Sequence, residues 1–411
     1  MTALPRPLPL LAALLVLSPA AWAQEKGEKL CGDCKTTGKI AHEHKADVLE
    51  QEKDVLYCSY WMDHDPEALC LDWVPCPDCL TPSVKEAADR EFAGEIAKRK
   101  AWLEKRREEV DKVARTECIH IETEHFILSW DIPKIKVGRK TVRMHDAAHL
   151  YAERAEELYR YIIDLHRIDE QSQMIGTKFK FAMFERKLPA INLAPSFVDK
   201  PIQGGQKVQI IGPGRSNMVS WDDPEKILGD DEHRHQFFVH SVSHHIYHDI
   251  QLGKIYQYWL FKRYGWMYEG LAFYLEHRLF GPPKLTCSQE SAGFSQYREK
   301  SWEALVKKEF QGGEYPSFPE VIRKGADTLN DEERWMSWSY VDYLMWLDPT
   351  KMPKLISLMT NDQLETRDAL KEAYGITTGQ FIDGWSDFVR REYSLRPKKG
   401  PIVRPPRGSG R

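Results

Sequence analysis

The sequence predicts an α+β protein, and three observations carry that expectation. Lys178–Phe184 and Lys207–Ile211 are short apolar and β-branched runs that read as strands, with Asn217–Trp221 a third, shorter one. From Asp230 to about residue 396 the apolar positions recur at helical spacing. Ahead of both lie a stretch dense in cysteine and a long charged helix. The expected architecture is a small sheet followed by a mainly helical C-terminal half, preceded by a cysteine-rich module and that helix.

The N-terminus reads as an export signal spanning residues 1–23. Arg6 precedes the apolar run Leu8 to Leu17, and Ala21-Trp22-Ala23 supplies small residues around a cleavage point before Gln24. The run is too short for a membrane span, and no other segment approaches 18 consecutive apolar residues. The mature chain is expected to be secreted or periplasmic, without a membrane span.

Residues 24–80 hold most of the cysteines: Cys31, Cys34, Cys58, Cys70, Cys76 and Cys79. Cys31-Gly32-Asp33-Cys34 and Cys76-Pro77-Asp78-Cys79 are two CxxC knuckles. Paired knuckles resemble a zinc ribbon, in which four thiolates close a tetrahedral structural site. The 41 residues between Cys34 and Cys76 exceed the usual spacing. An oxidising compartment would instead favour disulfides. Both readings stand: zinc on Cys31, Cys34, Cys76 and Cys79 with Cys58 and Cys70 left to bridge, or a disulfide framework. Cys118 and Cys287 lie outside the module.

Thr81-Pro82 reads as an N-cap with proline in the first turn. Val84, Ala88, Phe92, Ile96, Leu103, Val110 and Val113 follow near helical spacing, so residues 81–117 are expected as an amphipathic helix. Arg99 and Arg106 interrupt its stripe. Residues 118–397 form the main domain, and the basic tail 398–411, rich in proline and glycine, is expected to be disordered. With 42% hydrophobic residues the chain has ample material for a core. A net charge of −4 argues against general nucleic-acid binding.

The chemistry is concentrated in the helical half. His240 and His244 are four apart, which on a helix places both imidazoles on one face about a turn apart, a pincer for zinc. Chance alone gives about half an occurrence of this spacing at the chain's histidine content, and His244 and His248 satisfy it too. Glu269, on a second helix, would complete three protein ligands and leave a position open. Between the histidines, Ser241 stands where His-Glu-x-x-His carries its general base.

The run Trp266-Met267-Tyr268-Glu269-Gly270-Leu271-Ala272-Phe273-Tyr274-Leu275-Glu276 resembles the third-ligand helix of the gluzincin metallopeptidases, in particular the peptidase MA-like branch. Glu122–Trp130 looks like the first strand of that family's domain, and Ala147–Ile163 like the helix that follows. Asp368–Gly375 and Phe381–Trp385 resemble its closing helices. The resemblance covers Cys118 to about Pro397 and implies a thermolysin-like domain with a small mixed sheet. It implies zinc on His240, His244 and Glu269, and a close approach of the third-ligand helix to the metal helix through Gly270 and Ala272. It also implies an edge strand that binds extended peptide by strand addition. Tyr340 falls where the family often supplies a hydroxyl to the developing oxyanion; the alternative is a half-buried helix tyrosine. Asp230 or Asp231 is expected to cap the metal helix, which ends near Gly253. Glu276 and Asp249 are either carboxylates that orient a ligand histidine or solvated surface charges.

Serine is far too weak a base to replace the glutamate near neutral pH. The expected function is that of a secreted, zinc-binding pseudopeptidase that holds a peptide or protein partner in its metal cleft. The alternative is a slow or unusual metallopeptidase that relies on metal-activated water alone.

Overall fold

The computed structural model describes residues 31–35, 37–42, 55–169, 178–198, 206–210, 216–221, 231–251, 263–283 and 301–396. The expected export signal, the basic tail, Cys287 and Asp230 lie outside the described residues. The strands are β1 (Lys39–Ala41), β2 (Val55–Cys58), β3 (Trp73–Pro75), β4 (Ile119–Thr123), β5 (Phe126–Trp130), β6 (Lys134–Val137) and β7 (Lys140–Arg143). Then come β8 (Phe179–Phe184), β9 (Gln206–Ile210) and β10 (Ser216–Trp221). The helices are α1 (Ser59–His64), α2 (Pro82–Arg106), α3 (Met144–His166), α4 (Lys187–Phe197), α5 (Asp231–Gln251) and α6 (Gly265–Phe280). They continue with α7 (Trp302–Gly312), α8 (Phe318–Val321), α9 (Asp331–Leu347), α10 (Met352–Thr360), α11 (Thr366–Tyr374) and α12 (Thr378–Glu392). The architecture is α+β, with a small mixed sheet and a helical C-terminal half. No helix among the described residues is long and apolar enough to cross a membrane.

The chain divides into two compact units: residues 1–51 with 60–104, and residues 52–59 with 105–411. In the first, β1 and β3 form an antiparallel pair, and the sulfurs of Cys31, Cys34 and Cys76 are buried together beside it. Gly38 sits at φ +72, and a Cβ there would meet the Val84 carbonyl at 2.9 Å, so the knuckle packs directly on the first turn of α2. Arg99, which interrupts the apolar stripe, turns its guanidinium to donate to the Leu69 carbonyl at 2.7 Å. The stripe is thus broken by a residue that caps a loop.

The second unit is built on a six-stranded sheet in the order β2-β4-β5-β8-β10-β9. The pairs β5–β8 and β8–β10 are parallel; β2–β4, β4–β5 and β9–β10 are antiparallel. Both ends of the sheet are therefore antiparallel edge strands. β2 comes from within the stretch expected as the cysteine module, yet its backbone belongs to this sheet. Arg106 is buried here and pairs with Glu109 at 2.8 Å, which gives the second charge in the stripe a counter-charge.

Glu122–Trp130, expected as one strand, is the end of β4, a tight turn and all of β5. The turn carries no glycine, proline or asparagine to announce it. Glu156 of α3 holds it instead, accepting from the His125 backbone N–H at 2.9 Å and bonding His125 Nδ1 at 2.8 Å. The helix expected from Ala147 to Ile163 is α3, which starts at Met144 and runs to His166.

Three contacts fix the helices that carry the functional residues. Asp231, expected as a cap of α5, is its first residue, and its carboxylate is instead gripped by Arg154 through two 2.8 Å bonds and by Tyr151 at 3.0 Å. Burial opposes that charge, but the bonds from Arg154 hold its carboxyl below the usual value. At the other end of α3, His166 bonds the Pro349 carbonyl through Nδ1 at 2.6 Å and the Tyr247 hydroxyl through Nε2 at 2.9 Å. Gly270 of α6 packs on α9: a Cβ would lie 2.8 Å from the Ser337 carbonyl oxygen and 2.8 Å from Val341 Cγ2. The close approach that this glycine permits is therefore to α9, not to the metal helix as the resemblance implied.

Candidate metal centre

Helix α5 uses its two faces differently. Phe238 and His245 face the sheet, with ring centroids 5.6 and 5.7 Å from Phe181. His240 and His244 lie on another face with their rings 5.1 Å apart. Helix α6, buried on all sides from Gly265 to His277, brings Glu269 to them. The ligand atoms of His240, His244 and Glu269 all lie within 4.8 Å of one another, and all three residues are buried. The structure thus assembles the three metal residues expected from the sequence into a group able to hold a metal ion.

The orientation of His240 supports that use. Its Nε2 faces Glu269 Oε2 at 3.8 Å, while its Nδ1 bonds Glu276 Oε2 at 3.3 Å. Nε2 is buried and makes no hydrogen bond among the described residues. A ring nitrogen in that condition suits a lone-pair donor to a metal, and a carboxylate on the other nitrogen fixes the tautomer. Glu276 is thus buried and bonded to His240, not a solvated surface charge; the side chain of Asp249 lies outside the described residues. His244 stacks flat on Tyr268, with centroids 3.8 Å apart and planes at 4°. Burial, then the charges of His240 and His245, push its pKa well below the usual histidine value, so it is neutral near pH 7. Neutral imidazole is the form that binds metal.

Because Glu276 holds His240 through its second nitrogen, Glu276→Gln is expected to weaken metal binding at this centre by about 10–100-fold. Competition with a chromogenic chelator on the full chain checks it. Unchanged affinity would mean that the bond to His240 has no orienting role.

Ser241 is wholly buried between the two histidines on α5. Tyr340 is placed elsewhere than the resemblance implied. Its hydroxyl donates to the Pro316 carbonyl at 3.2 Å, and its ring packs against Phe318, Phe381 and Trp385. Burial raises its pKa far above the usual tyrosine value. It is a core tyrosine of the helical half, and the structure does not bring it to the three-residue group.

The N-terminal cysteines form a second group. Cys31 Sγ is 3.7 Å from Cys76 Sγ, and Cys34 Sγ is 3.8 Å from Cys79 Sγ. A tetrahedral site with Zn–S bonds near 2.3 Å has sulfur–sulfur edges of about 3.8 Å, whereas a disulfide needs about 2.05 Å. Both separations match the zinc edge, and neither is at disulfide length. Cys31, Cys34 and Cys76 meet the spacing of a metal group, with Cys79 packed against them. Burial, with Cys31 and Cys34 alongside, pushes the Cys76 thiol up to about 11, so metal loading here would release protons and strengthen as pH rises.

Cys58 was expected to be left for Cys70. Its Sγ instead lies among His145 and His149 of α3, a grouping that sequence reasoning missed. The signal was present, since His145 and His149 share the four-residue spacing of His240 and His244. No family model matches the chain, and no curated protein matches it significantly.

Proposed function

We propose that the second unit is a gluzincin-like zinc domain that works as a peptide-binding pseudopeptidase rather than as an efficient peptidase. One observation carries the reading: His240, His244 and Glu269 converge with Glu276 behind His240, while Ser241 occupies the position of the base. The donor set of two imidazoles and one carboxylate suits zinc. When bound, zinc supplies a Lewis acid able to polarise a carbonyl.

The chain's own residues then account for binding without turnover. His240 and His244 hold the ion through neutral nitrogens, and Glu269 contributes its charge. Ser241 has no proton affinity to offer near pH 7, so a proton-transfer contribution of about 10²–10⁴-fold is missing. β9, an antiparallel edge strand, offers the kind of backbone that adds an extended peptide as a further strand. An N-terminal zinc ribbon on Cys31, Cys34, Cys76 and Cys79 and an exported location complete the proposal.

The test is to incubate the zinc-loaded full chain with a degenerate peptide library, with and without chelator. The reading predicts peptides retained in a metal-dependent way and no chelator-sensitive cleavage by mass spectrometry. Chelator-sensitive cleavage by the native chain would overturn it in favour of a metallopeptidase that dispenses with the glutamate.

A further inference from the structure

Cys58 ends β2, the edge strand paired with β4, and is almost wholly buried. His145 and His149 stand in the first turns of α3, 87 and 91 residues further along the chain, and both are buried. His145 Nε2 lies 3.5 Å from Cys58 Sγ, and His149 Nε2 lies 3.4 Å from it. We propose that Cys58, His145 and His149 hold a zinc ion of their own, separate from the His240 centre and from the cysteine knuckles.

Distance argues first. A tetrahedral zinc with Zn–S near 2.3 Å and Zn–N near 2.0–2.1 Å places sulfur and nitrogen about 3.5 Å apart. Both sulfur–nitrogen separations match that edge. The ligand atoms of all three residues lie within 4.8 Å of one another.

Orientation agrees with distance. Both imidazoles turn the same nitrogen, Nε2, toward the sulfur, and His145 turns Nδ1 toward Asp146 Oδ1 at 3.7 Å. The two rings stand edge to face with centroids 4.4 Å apart, so their Nε2 atoms converge without the rings stacking.

Chemistry narrows the occupant. One thiolate and two imidazoles are too soft for calcium or magnesium, which take oxygen ligands. A cysteine–histidine nucleophile would need only one imidazole and a sulfur that substrate can reach, and Cys58 is only 1% exposed. Zinc uses all three donors and keeps one coordination position for water or an outside ligand. Such an ion would tie the edge strand of the sheet to α3.

The test uses the full chain purified under reducing conditions. Elemental analysis should show one zinc fewer per chain in Cys58→Ala and in His149→Ala, with Cys118→Ala unchanged as a control. Should these variants fail to fold, anomalous diffraction at the zinc edge from crystals of the unmodified chain decides. The expected result is a peak between Cys58 Sγ and the two Nε2 atoms. Unchanged zinc in both folded variants, or no peak there beside occupied knuckles, would overturn the proposal. Either result leaves the His240 centre to be judged by its own variants.

Discussion

Ser241→Glu is expected to raise chelator-sensitive peptide cleavage by about 10²–10⁴-fold over the native chain, the contribution of one positioned general base. In free energy this is about 3–5 kcal/mol of barrier. His240 and His244 flank it on one helix, Glu269 faces them, and Glu276 already holds His240 in register. The proton acceptor is what the His-x-x-x-His segment itself lacks. Ser241 is wholly buried, so a longer side chain must find room within the centre. Ser241→Gln therefore serves as the size control, since it fills the same volume without taking a proton. It should remain inactive, and adding His240→Ala to Ser241→Glu should abolish the gained cleavage. A folded, zinc-loaded Ser241→Glu chain that cleaves no faster than the glutamine variant would refute the claim that the missing base is what silences the centre.

The second large effect is on stability in acid. Burial pushes the pKa of His166 down to about 4 from an ordinary value of 6.5, against the bond to the Pro349 carbonyl. The folded chain therefore keeps His166 neutral over a range where the unfolded chain takes up a proton. Its stabilisation is fully present above pH 6.5 and is lost as the pH falls through about 4. That span corresponds to about 3 kcal/mol. His166 joins the end of α3 to Tyr247 of α5 and to Pro349, so the loss loosens the helix that carries His240 and His244. Urea unfolding of chelator-treated protein between pH 7 and 4 should show this fall. His166→Gln, which keeps a donor and an acceptor but does not titrate, should lose about 3 kcal/mol less over the same range. His235, also lowered to about 4 by burial, adds its own slope to both proteins and cancels in the comparison. Equal acid dependence in the two proteins would show that His166 does not carry the effect.

How far the sequence disclosed this architecture depended on whether the causes were local. The strands at β8, β9 and β10 and the helices α3 and α5 follow from the residue pattern of their own segments. The convergence of His240, His244 and Glu269 was legible because helical geometry fixes the first two and a recognisable helix carries the third. The β4–β5 turn was not legible, since its stabiliser, Glu156, comes from another element. Cys58 was read against the nearest cysteines in sequence, while its neighbours lie 87 and 91 residues away and His145 precedes the expected start of its helix. Gly270 was rightly read as a packing residue, but only the structure shows that its partner is α9. Tyr340 follows the second of the two readings posed for it, a helix tyrosine, and is more deeply buried than that reading expected.

The most direct test of the account is the metal content of the full chain beside that of the His240→Ala/His244→Ala double variant, both verified as folded by circular dichroism. The account predicts one zinc fewer per chain in the variant, with the other sites still loaded. Equal zinc in the two proteins would contradict it, because the histidines that define the centre would then hold no metal.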